Sequence, residues 1–452
     1  MKPRGLLIAA VVLLALCGVL YWSNHHPPAA GTPAGATPDA AATPAILTLN
    51  QSDVAQLTIQ DKGQPALELS RTGSGGNWQI TAPKQLDADQ DAVSGVLSVL
   101  SSLAATRVVE TTAANLAPYG LSDPSATLDV TLNNKKTQKL LIGDETPAGS
   151  GYYAMLAGDP RVFIIASYSK TGLDKSLGDL RDKRLVTTDF DKVSQIELTS
   201  NKAGKKSDIT FGRNKDAWQI LKPQPLRADG SQVESLIQSL KDGKMDTSAD
   251  TDEAKIAAAF KSATPLATVK LTGAGGTQEL EVRDSKGDEY VKSSAPAGIF
   301  KAQSGFGAGL DKTLDDFRNK KLFDFGYDEP NKIELTDGPK SYALSLTNNS
   351  WWDAAGKKLD DATVDALVEN LRELSAVSFP ETGFTAPAVT ITVTSNDGKR
   401  VEKVLASKSG DNYIAKRDGE PELYEIPGSA ISDLEKSADG LKPVAPPPAP
   451  KK

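Results

Sequence analysis

The stretch SYSKTG, residues 167–172, sets Ser167 three positions before Lys170 and follows it with Thr171 and Gly172, so it holds both an S-x-x-K and a K-T-G pattern. In serine acyltransferases of the penicillin-binding kind these are separate elements that meet in space, whereas here both would use Lys170. The corresponding stretch AQSGFGAG, residues 302–309, has neither pattern, and its GFGAG lacks the spacing of a dinucleotide fingerprint. A second chemical suggestion is DADQD, residues 87–91, whose alternating Asp87, Asp89 and Asp91 resemble the start of a calcium loop. That loop needs Gly at its sixth position and Glu at its twelfth, where this chain has Ala92 and Ser98. Ser-His and Cys-His catalysis require an imidazole in the fold, but the histidines are His25 and His26, both in a Pro- and Ala-rich segment. Cys17, the single cysteine, sits in an apolar run, so thiol chemistry and the usual zinc and haem ligand sets have no residues to work with. A two-carboxylate hydrolase stays open, because carboxylates are plentiful and sequence alone does not pair them. The expectation is a protein that is not an enzyme, with no catalytic residue, cofactor or metal.

The elements that would position any site begin after an unusual N-terminus. Lys2 and Arg4 precede an uncharged apolar run over residues 5–22 that ends in Tyr21 and Trp22, which reads as a transmembrane signal anchor over residues 1–22. A cleaved signal peptide and a lipoprotein attached through Cys17 are the alternatives. Residues 23–45 are rich in Pro, Ala and Thr and read as a tether; residues 441–452 read as a disordered Pro-rich tail. Between them lies enough chain for several domains, with 39% apolar and 24% charged residues. A net charge of −7 with interspersed signs argues against a nucleic acid partner.

The rest is repetitive. AQLTIQ, SQIELT and NKIELT alternate as short strands, led by Leu57, Ile196 and Ile333, 139 and 137 residues apart. That interval suits whole small domains rather than solenoid turns. A tryptophan precedes a leucine by eight positions in each: Trp78 and Leu86, Trp218 and Leu226, Trp351 and Leu359. A helix follows, with an apolar stripe at i, i+3, i+4 and i+7 formed by Val93, Val96, Leu97 and Leu100, by Val233, Leu236, Ile237 and Leu240, and by Val364, Leu367, Val368 and Leu371. Further strands follow the prolines at 124, 265 and 387, and a hairpin runs from Tyr153, Tyr290 and Tyr413 to Phe163, Phe300 and Tyr424. Shorter closing helices carry Leu173, Leu177 and Leu180, then Leu310, Leu314 and Phe317, with a fainter version at Ile431 and Leu434. The reading is an α+β chain of three tandem homologous modules, residues 46–188, 189–325 and 326–440, each a mainly antiparallel sheet with one long amphipathic helix and a shorter closing helix, after the N-terminal transmembrane helix.

A tryptophan on a strand that faces a helix stripe is better explained as packing than as a ligand platform, so Trp78, Trp218 and Trp351 are expected core anchors. The Asp run before the first long helix fits capping of free N–H groups. LRDKRL, residues 180–185, matches FRNKKL, residues 317–322, and each final leucine lies eleven residues before the next first strand. Arg181, Lys183, Arg184, Arg318, Lys320 and Lys321 therefore form either a partner-docking patch or, as preferred here, a connector between modules, with the last module lacking the motif because it has no successor. Trp352 follows the core position of Trp351 and should turn to the opposite face, where it, Tyr152 and Tyr168 would offer stacking surfaces to a glycan.

The anchor, the W-x-I-x-x-P segment before a helix, YGLSDPSATLDVTL, IGDETPAGSGYYAM and LRDKRL together resemble the bacterial family called domain of unknown function 4340, clearly from residue 46 to about 325 and weakly beyond. The resemblance implies an extracytoplasmic companion of ABC-type transport systems related to gliding motility, and it brings no catalytic residues. The functional expectation is a non-catalytic accessory or scaffold protein, single-pass in the bacterial inner membrane with its bulk periplasmic, that meets a protein partner in the cell envelope. A glycan- or cell-wall-binding protein is the alternative, and the carboxylate-only hydrolase the third.

Overall fold

AQLTIQ, SQIELT and NKIELT become the central strands of three antiparallel sheets, with Leu57, Ile59, Ile196, Leu198, Ile333 and Leu335 all turned into hydrophobic cores. The computed structural model describes residues 44–444 except 72, 74, 203, 216 and 248–251. The expected anchor over residues 1–22, most of the tether and the tail from residue 445 lie outside the described residues. Among the described residues no helix is long and apolar enough to cross a membrane. The chain divides into two units, Met1–Asp182 and Lys183–Lys452.

The first unit holds β1 (Val54–Asp61), β2 (Leu67–Arg71), β3 (Trp78–Ala82), β4 (Leu86–Asp87), β5 (Arg107–Glu110), β6 (Ala126–Leu132), β7 (Thr137–Glu145), β8 (Gly151–Leu156) and β9 (Val162–Ala166). Their order is β4-β3-β2-β1-β6-β7-β8-β9-β5, two meanders joined through antiparallel pairing of their first strands, β1 and β6. Helix α1 (Gln90–Ser101) connects the halves. Asp89 is its N-cap and accepts from the N–H groups of Asp91 and Ala92 at 3.1 and 3.0 Å, which is how the acidic run is used. Val93, Val96, Leu97 and Leu100 are buried against the sheet, and each such side chain contributes roughly 1.5–3 kcal/mol.

The second unit carries two sheets and two cores. One contains β10 (Val193–Lys202), β11 (Lys205–Asn214), β12 (Ala217–Lys222), β13 (Leu226–Arg227), β14 (Thr264–Gly273), β15 (Gly276–Ser285), β16 (Asp288–Ser294) and β17 (Ala297–Lys301), in the order β13-β12-β11-β10-β14-β15-β16-β17. The other contains β18 (Lys332–Asp337), β19 (Lys340–Thr347), β20 (Ser350–Asp353), β21 (Val389–Ser395), β22 (Arg400–Ser409), β23 (Asn412–Arg417) and β24 (Leu423–Ile426), in the order β20-β19-β18-β21-β22-β23-β24. All three sheets share the paired meanders, and the first alone adds a strand out of chain order, β5 beyond β9.

The helices depart from expectation. The closing helix of the first unit is two short pieces, α2 (Ser167–Leu173) and α3 (Leu177–Leu180), because Ser176 and Asp179 form a capping box that starts a new helix. The second sheet has α4 (Gly230–Asp242), the unanticipated α5 (Glu253–Ser262) and a single turn, α6 (Leu314–Phe317). The third has α7 (Asp361–Glu373) and a full-length α8 (Gly428–Asp439), so the closing helix there is neither short nor faint. No internal cap interrupts α8, and Ile431, Leu434 and Ala438 keep one buried stripe.

Short straps rim every sheet. In the first unit, Ile46 N–H donates to Leu103 O and Ala105 N–H to Pro44 O, while at the opposite rim Asp89 N–H donates to Leu180 O and Asp182 N–H to Asp87 O. Residues 44 and 45, expected in the tether, thus belong to the fold. In the second unit, Met245 N–H donates to Lys183 O and Leu185 N–H to Gly243 O. Residues 442–444 strap the last rim, with Asp360 N–H donating to Lys442 O and Val444 N–H to Lys358 O, so the expected tail starts later than residue 441. Pro443 is tolerated there because it stands opposite Leu359 while its neighbours carry the hydrogen bonds.

Candidate functional site

FRNKKL gathers the densest set of charges in the second unit. Phe317 is buried edge-on against Phe211, and its carbonyl accepts from Asp229 N–H at 2.8 Å. Asn319 N–H donates to Arg227 O, which completes the strap on the second sheet. The chain then passes to the third sheet: Ala376 N–H donates to Lys320 O at 2.8 Å, and Leu322 N–H to Leu374 O at 2.9 Å. Phe323 and Phe325 enter the third core. One connector is therefore the rim strand of two sheets.

Side chains fix this junction. Arg227, on β13, donates to both oxygens of Asp324 at 2.8 and 2.9 Å, to Lys321 O at 2.7 Å and to the Tyr424 hydroxyl at 3.1 Å. Its Nε lies 3.2 Å from Glu420. Burial opposes the Arg227 charge, yet Asp324, Tyr424 and Glu420 outweigh it and hold its pKa above the ordinary value. Arg417 reaches Asp324, Glu402 and Glu420 at 3.0–3.1 Å, and Asp324 N–H donates to Glu402 at 2.7 Å. Tyr424 donates to Glu420 at 2.8 Å, and burial drives its phenol well above the ordinary pKa although Arg227 pulls the other way. Arg318 pairs with Glu422 at 2.6 Å and Asp315 at 3.1 Å, with its guanidinium 3.6 Å over the Phe379 ring. Lys321 binds Glu373 at 2.7 Å and the Arg372 carbonyl at 3.1 Å. The buried Arg318 Nε, Arg417 Nη1 and Glu402 Oε2 have no hydrogen-bond partner among the described residues, so desolvation offsets part of the Coulomb gain.

The other residues singled out in the sequence are scattered. Trp78, Trp218 and Trp351 are 5, 5 and 6% exposed, each in its own core. Arg181 stands opposite Ala88 in the first unit; Lys183 and Arg184 join the strap onto the segment after α4. Trp352 is half-buried rather than turned fully outward, because the strand doubles back to set it opposite Lys358, and its Nε1 donates to Thr347 O at 3.4 Å. Tyr152 packs against the first core, and of the proposed stacking aromatics Tyr168 alone is well exposed, at 81%. Lys170 is held by Asp174 at 2.6 Å.

Sequence reading missed Arg227, Asp324, Glu402, Arg417, Glu420, Glu422 and Tyr424. One signal was present: Arg227 stands where the first repeat has Asp87, a reversal of charge beside a conserved spacing to the tryptophan.

No curated protein matches the chain. The profile of the family described as domain of unknown function (DUF4340) matches it twice, over residues 78–217 and 218–388. Each match begins on the tryptophan strand, and together they span most of the sequence, so the chain belongs to that family.

Proposed function

We propose that this protein is a non-catalytic, membrane-anchored accessory or scaffold protein of an envelope complex, of the kind built around an ABC-type transport system. In this reading three homologous modules follow an N-terminal transmembrane helix and a tether, and the folded part stands on the extracytoplasmic side of a bacterial inner membrane. The observation that carries it is the connector: FRNKKL and its partners Arg227, Asp324 and Glu420 serve to hold two sheets together, which gives a structural account of the most distinctive repeated charges. The uncharged run after Lys2 and Arg4 supports the anchor, and the family resemblance supports the transport setting.

The test is in vivo crosslinking and purification of the tagged full-length protein from native membranes, beside a version whose residues 1–22 are replaced by a cleavable export signal. Transporter subunits recovered with the anchored form and depleted with the released form are expected. Recovery of cell-wall material alone with both forms refutes the proposal and favours the glycan-binding alternative.

A further inference from the structure

The fold completes its sheets by adding short extended segments to strand edges, and in the second unit β11 keeps a five-residue edge unfilled, longer than the four residues 340–343 that β19 leaves beyond β20. β11 pairs with β10 along its length, from Gln195 opposite Gly212 to Lys202 opposite Lys205. On its other side β12 covers only Thr210 to Asn214, because β12 ends at Lys222 and the chain turns away through Pro223, Gln224 and Pro225. Residues 205–209 therefore extend past the last ladder pair, about 17 Å of strand whose alternate backbone groups point away from β10.

This overhang borders a cavity of about 720 Å³ between the second and third sheets. Lys205, Lys206 and Gln224 form one side; Phe379, Glu381 and Glu422 belong to the other. Lys206 is paired with Asp208 at 3.1 Å and Glu422 with Arg318, whereas the Lys205 and Glu381 side chains have no hydrogen bond or ion pair among the described residues. Cation on one side, carboxylate with an aromatic ring and two prolines on the other, and a free strand edge suit an extended peptide that joins as a strand.

We infer that this cleft docks an extended segment of a partner protein by strand addition to residues 205–209, with an acidic side chain toward Lys205 and a basic one toward Glu381. The inference rests on the reading of the protein as a partner-binding scaffold and gives that reading a site. A segment of the chain itself is the poorer occupant: residues 445–452 read APPPAPKK, and proline supplies no N–H to a ladder.

The test uses the full-length protein in detergent and a fluorescein-labelled peptide of about seven residues, the length of the overhang with a margin. It alternates Thr and Val between a Glu at one end and a Lys at the other. A second peptide is N-methylated on alternate amides. The unmodified peptide is expected to bind at least tenfold more tightly than the methylated one, to slow amide hydrogen exchange at residues 205–209, and to weaken severalfold against Lys205→Glu, an exposed change whose folding is checked by circular dichroism. Absence of binding, equal binding of the two peptides, or protection confined to another strand overturns the inference. Recovery of transporter subunits in the crosslinking experiment is a separate result, so the failure of this site and the failure of the scaffold reading are distinguishable.

Discussion

Arg227 shows how one side chain can decide an arrangement. It meets Asp324, Glu420, Tyr424 and the Lys321 carbonyl in a space where it is mostly buried, so Arg227→Ala leaves Arg417 as the one remaining cation shared by Asp324 and Glu420 at this junction and takes the donor from the Lys321 carbonyl. The expected cost is about 3 kcal/mol, read as a lower unfolding midpoint of the second unit in urea. The adjacent tryptophans give a contrast: Trp351→Ala should cost about 3–5 kcal/mol because it empties a core position, and Trp352→Ala about 1 kcal/mol because its side chain is only partly buried and lies outside the core. Asp316 supplies a pH test. Burial opposes its charge, but the Thr313 N–H and hydroxyl and the Lys202 ammonium outweigh burial and hold its pKa below the ordinary value. A carboxylate depressed in the fold contributes stability that is complete above its unfolded pKa and lost as pH falls through its folded one. Asp316→Asn should therefore lower stability at neutral pH and flatten the loss below about pH 4, measured by urea unfolding across that range.

At the scale of elements, the long helices and the straps act together. Asp89, Asp229 and Asp360 cap α1, α4 and α7, and the N–H of each of these caps also donates to a strap carbonyl, that of Leu180, Phe317 and Lys442 respectively. Helix start and sheet rim are thus one piece of structure. Ending the chain at Gly440 rather than Val444 removes three backbone hydrogen bonds, two of the strap and one from Leu441 N–H to Ala438 O, with that of Lys442 N–H to the Thr363 hydroxyl and the packing of Leu441 on the third core. The shorter chain should be less stable by about 1–3 kcal/mol, seen as a lowered calorimetric midpoint; an unchanged midpoint would mean that residues 441–444 do not hold the rim.

At the scale of the molecule, the division after Asp182 and the straps set where the chain can be cut. Residues 44–182 should fold alone, and residues 183–444 should unfold in a single transition because a shared connector and the Arg227 contacts couple two cores. Calorimetry of the second fragment checks this. Two resolved transitions in the unaltered fragment would break the coupling argument, whereas their appearance only with Arg227→Ala would assign the coupling to that residue.

The sequence by itself made legible the repeated core strands, the three long striped helices with the acidic cap of the first, and the tryptophans that close the cores, but not α5 or β5. Those features rest on periodicities and cap residues within a few positions of one another, where backbone geometry alone dictates which side chains share a face. It also marked LRDKRL and FRNKKL as repeated. It did not determine what those segments do, that residues 44–46 and 442–444 take the same part at the ends, or that α8 runs unbroken. That Arg227 meets Tyr424, 197 positions away, follows from how the sheets pack, because contacts at such separation leave no period in the sequence. The overhang of β11 belongs to the same class, since it depends on where β12 stops relative to its neighbour, a matter of register between strands rather than of either strand alone.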